Sequence, residues 1–129
     1  MASVFSKIIQ GELPGYFVWD DELCVAIMTI QPVRPGHVLV IPREEINHWD
    51  DMPDDLAAHL MVIARKITKA IKNAYPSQRV GLMVAGFEVP HTHLHLIPAD
   101  SMHDFDITRL EFAKPDDLAE AAEKIRQAL

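Results

Sequence analysis

The sequence predicts an α+β fold built on an antiparallel sheet, and three observations predict it. Short β-rich runs crowd the first third of the chain. One long stretch, from Leu56 to Ala74, carries apolar residues at helical spacing. Two further strand-like runs, 79–85 and 91–97, are separated only by a tight connection. Strands, then a helix, then a strand hairpin is the order expected when helices pack against an antiparallel sheet.

Residues 3–10 read as a short helix with Phe5, Ile8 and Ile9 on its apolar side, ended by Gly11, Pro14 and Gly15. Runs 16–19 and 23–29 are strands joined through Asp20-Asp21-Glu22, a hairpin pattern. Residues 31–36, with Pro32, Pro35 and Gly36, form a rigid loop, and a strand over 37–42 follows it. Leu56, Leu60, Ile63, Ala64, Ile67, Ile71 and Ala74 make one face of the long helix. Asp50, Asp51, Asp54 and Asp55 crowd its start, and Arg65, Lys66, Lys69 and Lys72 lie further along, a polarity that suits the helix dipole. Lys114-Pro115-Asp116-Asp117 opens a C-terminal helix, about 115–128, with Leu118, Ala122, Ile125 and Leu129 on one stripe. The chain, 1–129, reads as a single domain with its core over about 4–98 and a C-terminal extension.

Composition narrows the function classes. The chain has 129 residues, 49% hydrophobic and 24% charged, which is ordinary for a globular domain. A net charge of −7 argues against a nucleic-acid polymer as partner, since that backbone asks for clustered Lys and Arg. No apolar run is long enough to span a bilayer, and the first residues lack the apolar core of a signal peptide, so no membrane partner and a cytoplasmic location are expected. The one cysteine, Cys24, sits in the apolar run 23–27 and reads as a buried small hydrophobe.

Chemistry concentrates in His91-Thr92-His93-Leu94-His95-Leu96-Ile97. In a strand, residues two apart share a face, so the three imidazoles would form one row while Thr92, Leu94 and Leu96 face the other way. A histidine can serve as nucleophile, acid, base or metal ligand near neutral pH. Alternating histidines on a strand can also converge on zinc and leave one position open. The residues alone leave both chemistries open.

This stretch resembles the signature of the histidine triad (HIT) family of nucleotide hydrolases and transferases. Pro35-Gly36-His37-Val38-Leu39-Val40-Ile41-Pro42 resembles its second hallmark, and residues 5–14, from Phe5 to Pro14, resemble its N-terminal helix. The resemblance implies a HIT-like fold, a sheet continued across a homodimer, and a cleft over the triad strand for a small-molecule purine nucleotide. It implies His93 as the nucleophile that takes up the nucleotidyl group. His95 would contact the phosphoryl group and help protonate the leaving group. His91 would support the backbone and ring orientation, and His37 would hydrogen-bond the other nitrogen of His93. No cofactor and no metal are implied for this scheme. Val4, Phe5, Ile8, Ile27 and Ile30 match the positions that surround the base, and the same residues read equally as plain core packing. Thr29 stands where the family places an Asp or Asn on the ribose hydroxyls.

Two stretches depart from the family pattern. Val84-Ala85-Gly86-Phe87-Glu88-Val89-Pro90, before the triad, is shorter, with Ala85 near the usual amide and Glu88 in place of a small hydroxyl that contacts phosphate. A carboxylate beside phosphate is repelled unless it is turned away, protonated or paired with a cation. Either Glu88 is a solvated turn residue, or the substrate brings a positive group. Ser3 and Ser6 stand where some relatives carry two zinc-binding cysteines, and His48 matches a further ligand position, so no structural zinc is expected. His59 and His103 read as structural or solvated, and Trp19 and Trp49 as packing residues. Two rival readings stand beside the enzyme: a nucleotide-binding module with little catalysis, motivated by Thr29, Ala85 and Glu88, and a metal-dependent hydrolase using the histidine row.

Overall fold

The computed structural model describes residues 2–108 and 110–129. Five strands form one antiparallel sheet: β1 (Phe17–Asp20), β2 (Cys24–Met28), β3 (Val38–Pro42), β4 (Arg79–Met83) and β5 (Leu94–Ala99), in the order β1-β2-β3-β5-β4. Three helices accompany it: α1 (Val4–Ile9), α2 (Asp54–Ala74) and α3 (Pro115–Ala128). This is the expected α+β architecture. No helix among the described residues is long and apolar enough to cross a membrane.

Every residue of β2 and β3 is buried, because both faces of these strands are covered. Cys24, Ala26, Met28, Val38, Val40, Leu94 and Leu96 meet Leu60, Ile63, Ile67 and Ile71 of α2 and Leu118, Ala122 and Ile125 of α3. Each fully buried Leu or Ile there is worth about 1.5–3 kcal/mol, so this side fixes the sheet to the helices. The opposite face carries Val25, Ile27, Leu39 and Ile41 with Phe5 of α1. His95 follows the same alternation, opposite Leu39 in register. Helices α2 and α3 therefore stabilise one face and leave the other to α1 and the histidines.

Two boundaries differ from expectation. The strand expected over 91–97 begins only at Leu94, so His95 alone of the three lies in regular sheet. Thr92 leaves the ladder because its N–H and hydroxyl both donate to the Ile46 carbonyl, at 2.7 Å each. Pairing with β3 stops at Val40 opposite Leu94, short of Pro42, whose nitrogen has no proton to donate. The histidines are thus no flat row on one strand. His37 likewise precedes β3, which begins at Val38. It follows Gly36, whose φ of +98° suits glycine. A Cβ on Gly36 would also lie 3.0 Å from the Tyr75 ring and 3.2 Å from Pro98. Trp19 packs against the core as expected, but Trp49 is 58% exposed. It lines an apolar groove with Met61 of α2 and Leu82 of β4.

Candidate active site

A cavity of about 420 Å³ lies over the α1-bearing face of the sheet. Of the residues expected to form the site, Val4, Phe5, Ile8, Ile27, Thr29, Ile30, His37, Glu88, His93 and His95 all line it. His91 does not. Leu39, Val89, Ile107, Thr108 and Leu110 line it as well. Leu39 was legible in principle, since it shares strand parity with Ile41. Ile107, Thr108 and Leu110 carry no local signal; they reach the cavity because the chain returns after β5, where the Ala113 N–H donates to the Ile30 carbonyl at 2.9 Å.

Hydrogen bonds fix the ring tautomers. The His93 Nδ1 lies 2.7 Å from the His91 carbonyl, which can only accept, so Nδ1 carries the proton and Nε2 keeps its lone pair. Phe5 meets the His93 ring edge-on with centroids 4.8 Å apart. This replaces the expected arrangement, in which His37 would orient His93. His37 instead contacts His95, its Nε2 being 3.0 Å from the His95 Nδ1. The reason is the late start of β5: His95, in regular register, pairs with Leu39 and so is the ring that meets His37 at the start of β3.

The His37 pair has a definite direction. The Val33 N–H donates to the His37 Nδ1 at 3.1 Å. The proton of His37 therefore sits on Nε2 and is donated to the His95 Nδ1, which leaves the His95 proton on Nε2. The His95 Nε2 is buried and has no hydrogen-bond partner among the described residues. A buried donor without a partner costs free energy in the free protein, and it is a ready contact for an anionic oxygen. Burial, reinforced by the neighbouring His93 ring, pushes the His95 pKa down to about 4. Burial, with His95 adding to it, pushes His37 down to about 3. Both rings are neutral at pH 7.

His91 is a fully buried bracket. Its Nε2–H donates to the Pro42 carbonyl at 2.7 Å, and the Ser3 hydroxyl donates to its Nδ1 at 2.7 Å. Ser6 in turn donates to Glu45 at 2.8 Å, and the Ser3 N–H reaches the same carboxylate oxygen at 2.6 Å. Glu45 had no place in the sequence reading. Two hydroxyls and an imidazole with both nitrogens engaged are a poor donor set for zinc, which favours thiolates and free imidazole nitrogens. His48 is exposed and lies outside this network. The same engagement keeps His91 from joining His93 and His95 around a metal. His59 is structural, donating to Asp21 at 2.7 Å, and His103 is exposed.

An antiparallel sheet with a buried cluster of four histidines beside an apolar cavity defines a class, and the comparisons agree with it. The HIT domain family model matches residues 10–102, and the chain belongs to the histidine triad family. It is 33% identical over 127 residues to an uncharacterized HIT-like protein of Methanocaldococcus jannaschii, covering 95% of this chain and 98% of that one. It is 36% identical over 98 residues to an adenosine 5'-monophosphoramidase of Saccharomyces cerevisiae, covering 75% and 62% of the two chains. Among solved structures, a Hit-like protein involved in cell-cycle regulation from Bartonella henselae, with an unknown ligand, superposes with a TM-score of 0.88 at 31% identity. That match covers 98% of this chain and 96% of the other.

Proposed function

We propose that this protein hydrolyses or transfers a nucleoside monophosphate group by way of a covalent nucleotidyl-His93. The observation that carries this reading is the Nδ1–H of His93 held by the His91 carbonyl, which leaves Nε2 as a neutral nucleophile lining the cavity. The Nε2 lone pair forms a bond to the α-phosphorus, and the bond to the leaving group breaks. The leaving atom carries off the electron pair and is protonated from water. Water then adds its oxygen to phosphorus and loses a proton, the P–N bond breaks, and His93 regains its lone pair. The positive charge on the ring in the adduct is stabilised by the His91 carbonyl. The neutral His95 Nε2–H donates to the phosphoryl oxygen as charge builds there. The apolar lining from Val4, Phe5, Ile8, Ile27 and Ile30 takes the base, a purine on this reading, and the Thr29 hydroxyl meets the ribose. Phosphoramidates, acyl adenylates and dinucleoside polyphosphates are the substrate classes, the first of them in keeping with the yeast relative's name.

The test is intact mass after an alkaline quench. With an adenosine 5'-phosphoramidate, a nucleotidyl adduct is expected to accumulate in His95→Asn. Hydrolysis should fall by at least about 10⁴-fold in His93→Ala, a loss of the size seen when a catalytic nucleophile is removed. Unchanged turnover in His93→Ala would overturn the reading and favour a binding module. We also propose that the protein is a homodimer joined through β4 and the groove of Trp49, Met61 and Leu82, and that it resides in the cytoplasm, where its single buried thiol needs no oxidising surroundings. Cell fractionation checks the location.

A further inference from the structure

The turn before the histidines poses a charge problem that the substrate can solve. Glu88 lines the same cavity as His93 and His95 and is exposed to solvent there. Its charge is felt at His95, where it acts to raise the ring's proton affinity against the burial that lowers it. No Lys or Arg lines the cavity among the described residues, and the three histidines that do are His37, His93 and His95. Two of these, His37 and His95, are held neutral. Glu88 makes no ion pair or hydrogen bond with any described residue. The backbone that presents it is shaped by Gly86, whose φ is +85°.

A nucleotide phosphate brought against His93 and His95 therefore meets a carboxylate that no described residue neutralises. A phosphate and a carboxylate repel, and a cation placed between them is attracted by both. The apolar part of the cavity suits the base, so it offers such a cation nothing. The remaining part of the substrate is the group that leaves phosphorus.

We propose that Glu88 is a specificity residue that selects substrates whose leaving group carries a positive charge close to the scissile bond, as in an aminoacyl adenylate with its free ammonium or a phosphoramidate of a diamine. The inference rests on the nucleotidyl-transfer reading above and names the substrate class of that site. Glu88 contacts the departing half through its charge. Bond making and breaking remain as described: the electron pair of the broken bond departs on the nitrogen of a phosphoramidate, which leaves as the amine, or on the carboxyl oxygen of an aminoacyl adenylate, which leaves as the amino-acid carboxylate.

The test compares two adenosine 5'-phosphoramidates, one of ethylenediamine and one of propylamine, which differ in placing an ammonium or a methyl group at the same position. In EDTA and low salt, wild-type kcat/KM is expected to favour the ammonium compound by roughly fivefold, the scale of a partly exposed ion pair. The preference shrinks in high salt. Glu88→Gln brings the ratio near one, and the propyl compound is then hydrolysed faster because the repulsion on phosphate is gone. Glu88→Lys reverses the preference. A wild-type ratio of one, or a preference that survives Glu88→Gln, overturns the proposal. If neither compound turns over, the catalytic reading fails, and calorimetric Kd values for the same pair then decide on Glu88 alone. A Kd ratio that collapses in Glu88→Gln upholds its role, and one that does not rejects it.

Discussion

His95 and His37 couple the site to pH. Free histidine takes a proton near pH 6.5, whereas burial holds these rings near 4 and 3. Below pH 6.5 the unfolded chain therefore binds protons that the folded protein refuses, so unfolding is favoured by acid. Stability is expected to be flat above about pH 7 and to fall by about 5 kcal/mol as the pH drops to 4.5, about half from each ring. Urea denaturation at a series of pH values reads this. His37→Asn should flatten the fall by about half, and an unchanged slope would mean that the rings are hydrated or already charged. At this scale the sequence was partly legible. The spacing of His91, His93 and His95 announced a site, and His37 belonged to it. Which nitrogen meets which partner was not legible. That depends on β5 starting at Leu94, and the start depends on the Ile46 carbonyl, which sits far from Thr92 in sequence.

At the level of elements, α2 was the most legible part of the fold. Its apolar positions recur at helical spacing, and burial follows that pattern from Leu56 to Ile71. The β1–β2 hairpin was legible as a turn, but its anchor was not. Asp21 accepts hydrogen bonds from the Leu23 and Cys24 N–H groups, from the Trp19 indole and from His59 on α2. Burial opposes its charge, yet the bonds from Trp19, His59 and the two backbone groups outweigh it and hold the carboxyl well below the ordinary carboxylate range. One carboxylate thus shapes the turn and ties it to the long helix, a link across 38 residues that no local pattern encodes. Asp21→Ala leaves the indole and two N–H groups without their acceptor and is expected to cost about 2–4 kcal/mol. His59→Leu removes only the tie to α2 and should cost about 1 kcal/mol. Urea midpoints compare the two, and equal losses would show that the turn bonds contribute little.

For the whole molecule, the two edges of the sheet are treated differently. The β1 edge is closed: Arg126 of α3 donates to the Phe17 carbonyl at 2.6 Å, and α3 packs along the strand. The β4 edge has β5 on one side and no strand among the described residues on the other. An open edge invites pairing with another chain. Beside it lies the groove of Trp49, Met52, Met61, Leu82 and Val84, with Trp49 58%, Met61 55% and Leu82 42% exposed. Exposed apolar side chains gathered beside a free strand suit a protein interface, and this supports the proposed dimer. A two-fold axis across that edge would let β4 pair antiparallel with its own copy and let each groove receive the same side chains from the partner. The sequence implied a dimer only through its family likeness; the asymmetry of the edges gives it a physical basis. Light scattering after size exclusion is expected to give twice the chain mass for the wild type at micromolar concentration. Leu82→Lys puts one like charge from each copy into the proposed interface and should shift the protein to the monomer at the same concentration. Glu12→Lys, at an exposed residue just after α1 and outside the lining of the groove, should leave the dimer intact. A monomeric wild type, or a dimer untouched by Leu82→Lys, would place the interface elsewhere and leave the groove to another occupant.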